Sequence, residues 1–312
     1  MRLKNYHRIF IFLLGVLFLT CLLSPWAAWG LDLIRTWRPE WQGLDYPFSR
    51  IFNRVFMIMG ILLFFPCFRF LKIRSVEDLG LTHLRRDYGY IFIGAGLAVG
   101  SFAILVALMT AVEVFQPEWR VTLAAGLLNA FKAMMTGLTV GLIEEVFFRG
   151  MIFNRLRDEW SPVGAYAVAN ALYSAAHFIK PAQKSYVQDF DPWLGFVHLA
   201  RTFEPFTDPV TLLPGFFGLF LLGIVLSYAF ARTGSLYLSI GLHMGWVLAI
   251  KSINSYGGYS GADLGWIFGS ANPRFVSGVA TWIGFLTVLI LVHYLTRNRP
   301  TPSSGRPPQA AA

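Results

Sequence analysis

Two adjacent carboxylates, Glu144 and Glu145, stand in an otherwise apolar stretch of the chain, within the run GLIEEVFFRG that begins at Gly141. Burying a charged side chain at membrane depth is costly, so such residues pair or face a cavity and usually mark function. Arg149 follows Glu145 by four residues and therefore lies on the same face of a helix. The spacing predicts a Glu145–Arg149 ion pair and leaves Glu144, about 100 degrees round the helix, to point elsewhere.

Two histidines lie in the apolar segments that follow the glutamates. Tyr173 and His177 are spaced by four residues in an alanine-rich stretch, and His243 stands in the sequence GLHMG, whose glycines let a neighbouring helix approach closely. A buried glutamate can act as general base on a water that attacks a carbonyl carbon. One histidine can orient that water, and the second can donate a hydrogen bond to the developing oxyanion. The residue types therefore indicate a hydrolytic site.

The same residues also fit a second chemistry. Glu144, His177 and His243 match the two-histidine, one-carboxylate ligand set of hydrolytic zinc sites. The spacing does not decide between the two, although the chain contains no His-Glu-x-x-His motif. Each residue also has a purely structural interpretation, in which the carboxylates form a buried ion pair and the histidines and Tyr173 serve helix packing. The presence of two histidines together with the glutamates favours chemistry.

The composition is that of a membrane protein. Of 312 residues, 55% are hydrophobic and 14% charged, and the mean hydropathy is +0.54, which lies outside the usual range of soluble proteins. The net charge of +9 arises from cations scattered singly between apolar runs, which argues against a nucleic-acid partner. Cys21 and Cys67 lie within apolar runs without metal-type spacing and are interpreted as small hydrophobic residues.

We predict an all-α fold, a polytopic membrane helix bundle with about eight transmembrane helices, because that many segments are long enough to span a bilayer. The segments are 9–30, 51–71, 89–115, 121–153, 162–179, 211–231, 235–250 and 275–295. They form one predicted integral-membrane domain over 1–298, and the Pro-, Ser- and Ala-rich tail 299–312 is predicted to be disordered.

Lys and Arg predict the orientation of these segments. They are more numerous in the short loops on the side of the N-terminus, so both termini are expected to be cytoplasmic in a multi-pass protein of the cell membrane. Glu144 and Glu145 then fall in the cytoplasmic half of the fourth span. The long connection 180–209, rich in aromatic residues, is expected to lie along the opposite membrane surface as a loop and to contact lipid.

Three motifs in order resemble those of a known family. They are Glu-Glu-x-x-x-Arg at 144–149, aromatic-x-x-x-His at 173–177, and Gly-Leu-His at 241–243, shortly after Arg-Thr-Gly-Ser-Leu at 232–236. Together they resemble the CPBP family, the CAAX protease and bacteriocin-processing group of intramembrane proteases, also called the Abi family. The segment VEDLGL at 76–81 is similar to a short stretch in those proteins. The resemblance covers about 75–250.

The resemblance implies an eight-helix membrane endopeptidase that cuts membrane-associated substrates, such as the C-terminal tripeptide of prenylated proteins. It assigns water activation to Glu144 with His177, and part of the oxyanion hole to His243. Glu145, Arg149 and Tyr173 would support these residues. Family members have been described both as zinc enzymes and as glutamate-dependent enzymes without a metal, so the expected cofactor is either none or zinc held by the same three residues.

One departure from the family pattern bears on activity. Val247 stands where the family generally has Asn or Asp, which removes a polar side chain expected beside the oxyanion. Loss of one such donor typically slows catalysis by about 10²–10³. The chain would then be slow, recruit Asn170 or the Trp246 indole instead, or act as a catalytically silent membrane scaffold. A further alternative is a transporter that uses the buried charges as a proton relay.

Overall fold

The computed structural model describes residues 4–38, 40–41, 46–82, 84–179, 190–260, 265–269 and 275–299. Nearly all regular structure in these residues is helical. In chain order the helices are α1 (Asn5–Trp37), α2 (Phe48–Phe64), α3 (Leu84–Asp87), α4 (Gly89–Ala111), α5 (Leu123–Glu145), a π-helical segment (Val146–Phe153), α6 (Asn154–Glu159), α7 (Pro162–Phe178), α8 (Leu194–Arg201), α9 (Pro209–Thr233), α10 (Tyr237–Ser252), α11 (Gly265–Phe268) and α12 (Val279–Thr296). Short 3₁₀ turns occupy Glu77–Leu79, Glu204–Thr207, Ile253–Ser255 and Phe275–Ser277.

The chain divides into two compact units, of which the first comprises Met1–Arg74 and Ala175–Leu212. Its core is formed where α1 packs against α2 and α8. Gly195 lets α8 approach the backbone of α1, because a Cβ at that position would collide with the carbonyl group of Cys21. The core side chains of this unit are mainly apolar, and Phe48 and Phe52 of α2 enclose the ring of His198 of α8.

The second unit comprises Ser75–Ser174 and Leu213–Ala312, and α10 lies at its centre. This helix is buried along most of its length and packs against α4 and α5. The approach is close because glycines line it: a Cβ at Gly241 would meet the carbonyl oxygen of Ile91 in α4, and a Cβ at Gly137 of α5 would meet the backbone of Met244. Glycine on both sides of α10 thus brings three backbones together.

A tight turn at Glu77–Gly80 anchors the start of α10. Gly80 has a positive φ of 83°, which glycine adopts without strain, and its carbonyl oxygen accepts a 2.9 Å hydrogen bond from the Leu236 amide. The Tyr237 hydroxyl donates to the Thr82 carbonyl at 2.7 Å, and the Asn154 side chain donates to the Asp78 carbonyl at 3.1 Å. The VEDLGL stretch therefore ties the α9–α10 connection to α6.

A two-stranded antiparallel sheet closes the other end of α4 and α10. Strand β1 (Phe115–Pro117) pairs with β2 (Gly257–Tyr259), with Phe115 opposite Tyr259. Beneath it, Phe102, Met109, Ile253 and Phe275 belong to one buried apolar cluster. These strands were not predicted from the sequence, since each has only three residues.

The predicted all-α membrane fold is confirmed. Five helices in the described residues are long and apolar enough to cross a membrane, namely Asn5–Trp37, Gly89–Ala111, Leu123–Glu159, Pro209–Thr233 and Val279–Thr296. Large apolar side chains such as Phe92 and Leu127 are 69% and 63% exposed along them, as expected for a surface that faces lipid rather than water.

The predicted number of eight spans stays a prediction. Helices α2, α7 and α10 coincide with the other three predicted segments but have 17, 17 and 16 residues. Part of the connection 180–209 is helical rather than a loop, because α8 packs on α1 there. Residues 180–189, and the predicted tail beyond Arg299, lie outside the described residues.

Candidate functional site

The adjacent glutamates lie where the long helix Leu123–Glu159 changes its winding. Regular α-helix ends at Glu145, the π-helical segment follows, and α-helix resumes at Asn154. A π-helical turn is wider than an α-helical one and recurs at functional sites. Thr122 begins this helix by accepting a hydrogen bond from the Ala125 amide, as an N-cap residue does. The widened turn carries Arg149 and Gly150, and Gly150 packs against the Leu79 backbone.

The ion pair expected from the spacing of Glu145 and Arg149 is present. Arg149 Nη1 donates to Glu145 Oε1 at 2.9 Å, and the two side chains are 1% and 0% exposed. A second guanidinium nitrogen, Nη2, donates to the Gly223 carbonyl oxygen of α9 at 3.3 Å. The guanidinium also lies over the ring of Tyr173, 4.2 Å from its centroid, in a cation–π contact. Three helices thus hold one buried arginine.

His243 of α10 completes the interaction at Glu145. Its Nδ1 lies 2.9 Å from Glu145 Oε1, the same oxygen that Arg149 contacts. A carboxylate oxygen can only accept, so Nδ1 carries the proton and the carboxylate fixes the orientation of the ring. His243 as a whole residue is 5% exposed, and its ring stands edge-on to the ring of Tyr173, with 6.5 Å between the centroids. His243 is therefore oriented by groups from α5 and α7.

The side chain of Glu144 is more exposed than that of Glu145. Its side chain is 27% exposed, and its Oε2 lies 3.8 Å from His243 Nε2, the nitrogen that points away from Glu145. This separation exceeds that of a direct hydrogen bond. The second unit therefore presents one fully buried and one partly exposed glutamate side chain, on the two sides of a single imidazole ring.

The remaining predicted site residues lie on α7. Tyr173 is 2% exposed and packs edge-on against Phe148 at 5.1 Å between ring centroids. His177 follows it by four residues, in the last turn of the helix, and belongs to the first unit. The second unit itself brings together Glu144, Glu145, Arg149, Tyr173 and His243.

The zinc interpretation requires three ligand side chains grouped around one position. Among the residues described, no three His, Cys, Asp or Glu side chains are grouped so that they could hold a metal ion. His243 Nδ1 is engaged by Glu145, which leaves Nε2 on the side of Glu144. Zinc held by Glu144, His177 and His243 therefore stays a prediction.

The two replacement donors named from the sequence are engaged elsewhere. The Asn170 amide nitrogen donates to the Tyr166 carbonyl at 2.9 Å, and its oxygen accepts from Ser227 at 2.9 Å. The Trp246 indole nitrogen donates to Ser101 at 3.1 Å. Gly223 and Ser227 were missed by sequence reasoning, because a glycine carbonyl and a single serine in an apolar helix give no pattern. The one sequence signal that could have indicated Gly223 and Ser227 is their Gly-x-x-x-Ser spacing on α9, which is typical of a close contact between helices.

Fold and site together define an integral-membrane helical protein with a buried, oriented Glu-Glu-Arg-His cluster. Residues 125–249 match the family model described as Type II CAAX prenyl endopeptidase Rce1-like. The match confirms the resemblance to the CAAX protease and bacteriocin-processing family, and it supports a CAAX-type intramembrane endopeptidase in general terms. No curated protein and no solved structure matches the chain.

Proposed function

We propose that the protein is an intramembrane endopeptidase that hydrolyses peptide bonds of membrane-associated or lipidated CAAX-type substrates, with Glu144 as the general base. The observation that carries the proposal is the contrast between the two glutamates. Glu145 is 0% exposed and held by Arg149 and His243, whereas the Glu144 side chain is 27% exposed beside His243 Nε2. A base must reach a water molecule, and Glu144 has the more exposed side chain of the two.

In the proposed reaction, Glu144 takes a proton from water, and the resulting hydroxide attacks the carbonyl carbon of the scissile peptide bond. The proton held by Glu144 then passes to the leaving amine as the tetrahedral intermediate collapses. His177 is assigned to orient the attacking water together with Glu144, as the family motif implies. The products are a carboxylic acid and an amine, and no redox partner is needed.

His243 is proposed to stabilise the oxyanion through Nε2. With Nδ1–H directed at Glu145, Nε2 donates to the oxyanion when it also carries a proton. An imidazolium donor carries a positive charge toward the oxyanion, which strengthens the hydrogen bond. This charge offers a physical reason why a site with Val247 in place of an amide could retain activity.

The proposed substrate class is supported by the family model and by the position of the glutamates. The family model is that of a prenyl endopeptidase, and the glutamates lie in the second half of Leu123–Glu159, a helix long enough to cross a membrane. A lipidated C-terminal segment that enters from the cytoplasmic surface would reach them if both termini are cytoplasmic. Placement in the cell membrane, with lipid as the surrounding partner, is part of this proposal.

The test compares membranes that contain the wild-type protein with membranes that contain Glu144→Gln at equal abundance, using quantitative mass spectrometry of new peptide termini. Glu144→Gln keeps the size of the side chain but cannot act as a base. We expect termini that depend on wild type to disappear in the variant. Equal turnover in Glu144→Gln would refute the assignment of the base.

Absence of any wild-type-dependent termini would instead favour the two alternatives from other classes. One is a catalytically silent scaffold, and the other is a transporter that uses the buried charges as a proton relay. Proton flux into vesicles that contain the purified protein distinguishes these two, because a relay through Glu144 would fall in Glu144→Gln and a scaffold would show none. The matched control is Thr20→Val, which removes a buried hydroxyl group of α1.

A further inference from the structure

A second layer of buried polar groups stands behind Arg149, on α7 and α9. Ser227 donates to Asn170 Oδ1 at 2.9 Å, and Asn170 Nδ2 donates to the Tyr166 carbonyl at 2.9 Å. Asn170 and Ser227 are 1% and 0% exposed. Burying polar groups in a membrane helix bundle costs free energy unless they are hydrogen-bonded. The buried Asn170–Ser227 pair therefore indicates a specific structural role.

Gly223 connects this pair to the arginine. A Cβ at Gly223 would lie 2.8 Å from Asn170 Oδ1, so the Asn170 side chain fills the space beside the glycine backbone. The Gly223 carbonyl oxygen is the group that receives Arg149 Nη2 at 3.3 Å. Ser227 follows Gly223 by four residues on the same face of α9. The Ser227–Asn170 bond therefore fixes the part of α9 that presents this carbonyl oxygen.

From Gly223 the contacts lead directly to the proposed catalytic groups. Arg149 holds Glu145 at 2.9 Å, and Glu145 holds His243 Nδ1 at 2.9 Å. All of these side chains are at most 7% exposed. Because these buried side chains are closely packed, a displacement at Gly223 is transmitted through Arg149 and Glu145 to His243. Misplacement of a catalytic group by about 1 Å can cost about 10²-fold in rate.

We propose that Asn170 and Ser227 are positioning residues that fix the orientation of His243 through Gly223, Arg149 and Glu145. The expected effect on rate rests on the proposed function, whereas the expected effect on the orientation of the His243 ring does not. Asn170 is thus a residue that acts through Arg149 rather than a donor to the oxyanion.

The test uses two substitutions of almost equal shape, Ser227→Thr and Ser227→Val, which differ only in the hydroxyl group. We expect Ser227→Thr to keep most of kcat and Ser227→Val to lower kcat about 10- to 100-fold with little change in KM. Asn170→Leu should reproduce the loss, and the double variant Asn170→Leu/Ser227→Val should add little to it, because both act through one contact. Thr20→Val, which removes a buried hydroxyl group of α1, should leave kcat as in wild type.

A second readout does not depend on activity. In protein with isotope-labelled histidine, the ring-nitrogen signals of His243 can be identified among the six histidines by their loss in His243→Asn. We expect these signals to coincide in wild type and Ser227→Thr and to shift in Ser227→Val. Equal signals and equal kcat in the Thr and Val variants would overturn the proposal, and so would equal changes in both, which would indicate packing alone. Should no variant, wild type included, cleave any substrate, the proposed function fails while the histidine signals still decide this inference.

Discussion

Two buried histidines of this protein have opposite surroundings. His198 of α8 lies between the rings of Phe48 and Phe52, at 5.0 and 4.9 Å between centroids. His243 of α10 lies between the carboxylates of Glu145 and Glu144. Both residues are nearly inaccessible, at 3% and 5% exposure, so burial alone does not distinguish them.

The difference lies in the groups that surround each ring. Burial lowers the pKa of His198, and the positive charge of Arg201 lowers it further, so the neutral ring is favoured. At His243 the nearest polar groups are two carboxylates instead, one of which accepts a hydrogen bond from Nδ1 at 2.9 Å. The same type of side chain packs between aromatic rings in one unit and is proposed to contact the oxyanion in the other, so the two histidines are distinguished by their neighbours.

The largest expected effect is on His243 itself. His243→Asn keeps a donor near the position of Nδ1, and so can retain the bond to Glu145, but it has no group at the position of Nε2. We expect a folded protein in which kcat is reduced about 10²–10³-fold, measured with a quenched peptide substrate carrying a lipidated cysteine. His198→Asn is the matched control and should keep kcat; an equal loss in both variants would end the distinction between the two rings.

The next effect concerns the ion pair that orients His243. Arg149→Met leaves Glu145 buried without its cation, and we expect a loss of about 3–5 kcal/mol in the free energy of unfolding. The double variant Arg149→Met/Glu145→Met removes both charges and should recover much of that stability but not the activity. Thermal unfolding in detergent, followed by circular dichroism, measures the first expectation. Recovery of kcat in the double variant would contradict the role of Glu145 as the residue that orients the ring.

A smaller effect is expected at Val247. If the charged ring of His243 supplies enough stabilisation alone, Val247→Asn should leave kcat equal to wild type; if a donor is missing, kcat should rise, by at most about 10²–10³-fold. Val247→Leu controls for the change in shape. A large loss in Val247→Asn that Val247→Leu does not share would show that a polar group at this position harms the site.

The smallest expected effect is on the pH dependence of the free energy of unfolding, to which His198 contributes. Since the folded state lowers its pKa below the ordinary value of 6.5, the unfolded chain binds the proton more readily, and stability falls as pH drops below about 6.5. His198→Leu removes this contribution, so the variant should lose less stability than wild type between pH 7.5 and 5.5. Unfolding midpoints at both pH values test the expectation. An identical pH dependence in both proteins would argue against a buried neutral ring.

The sequence predicted the class of fold and the first contacts of the site for definite physical reasons. Apolar runs of bilayer length indicate helices directly, and the four-residue spacing of Glu145 and Arg149 determines that they face each other. It could not predict that His243 would bond to Glu145 rather than stand apart from it, since that depends on how closely α10 approaches α5. Nor did it reveal the π-helical segment, which has no composition of its own.

The polar partners of Asn170 and Trp246 show the same limit. From the sequence both were free donors near the site. In the structure Asn170 Nδ2 donates to the Tyr166 carbonyl oxygen, its Oδ1 accepts from Ser227, and the Trp246 indole donates to Ser101. Pairings between residues far apart in the chain follow from helix packing, which single-residue patterns do not encode. The short helix α8 was missed for a similar reason, because its place is set by a contact with α1.

The glycine contacts along α10 have a mechanical consequence. Where backbone meets backbone, as at Gly241 and Gly137, there is no layer of flexible side chains to absorb a displacement. Helices α4, α5 and α10 should therefore move as one rigid piece, so that His243 keeps its position relative to the glutamates of α5 when the bundle moves.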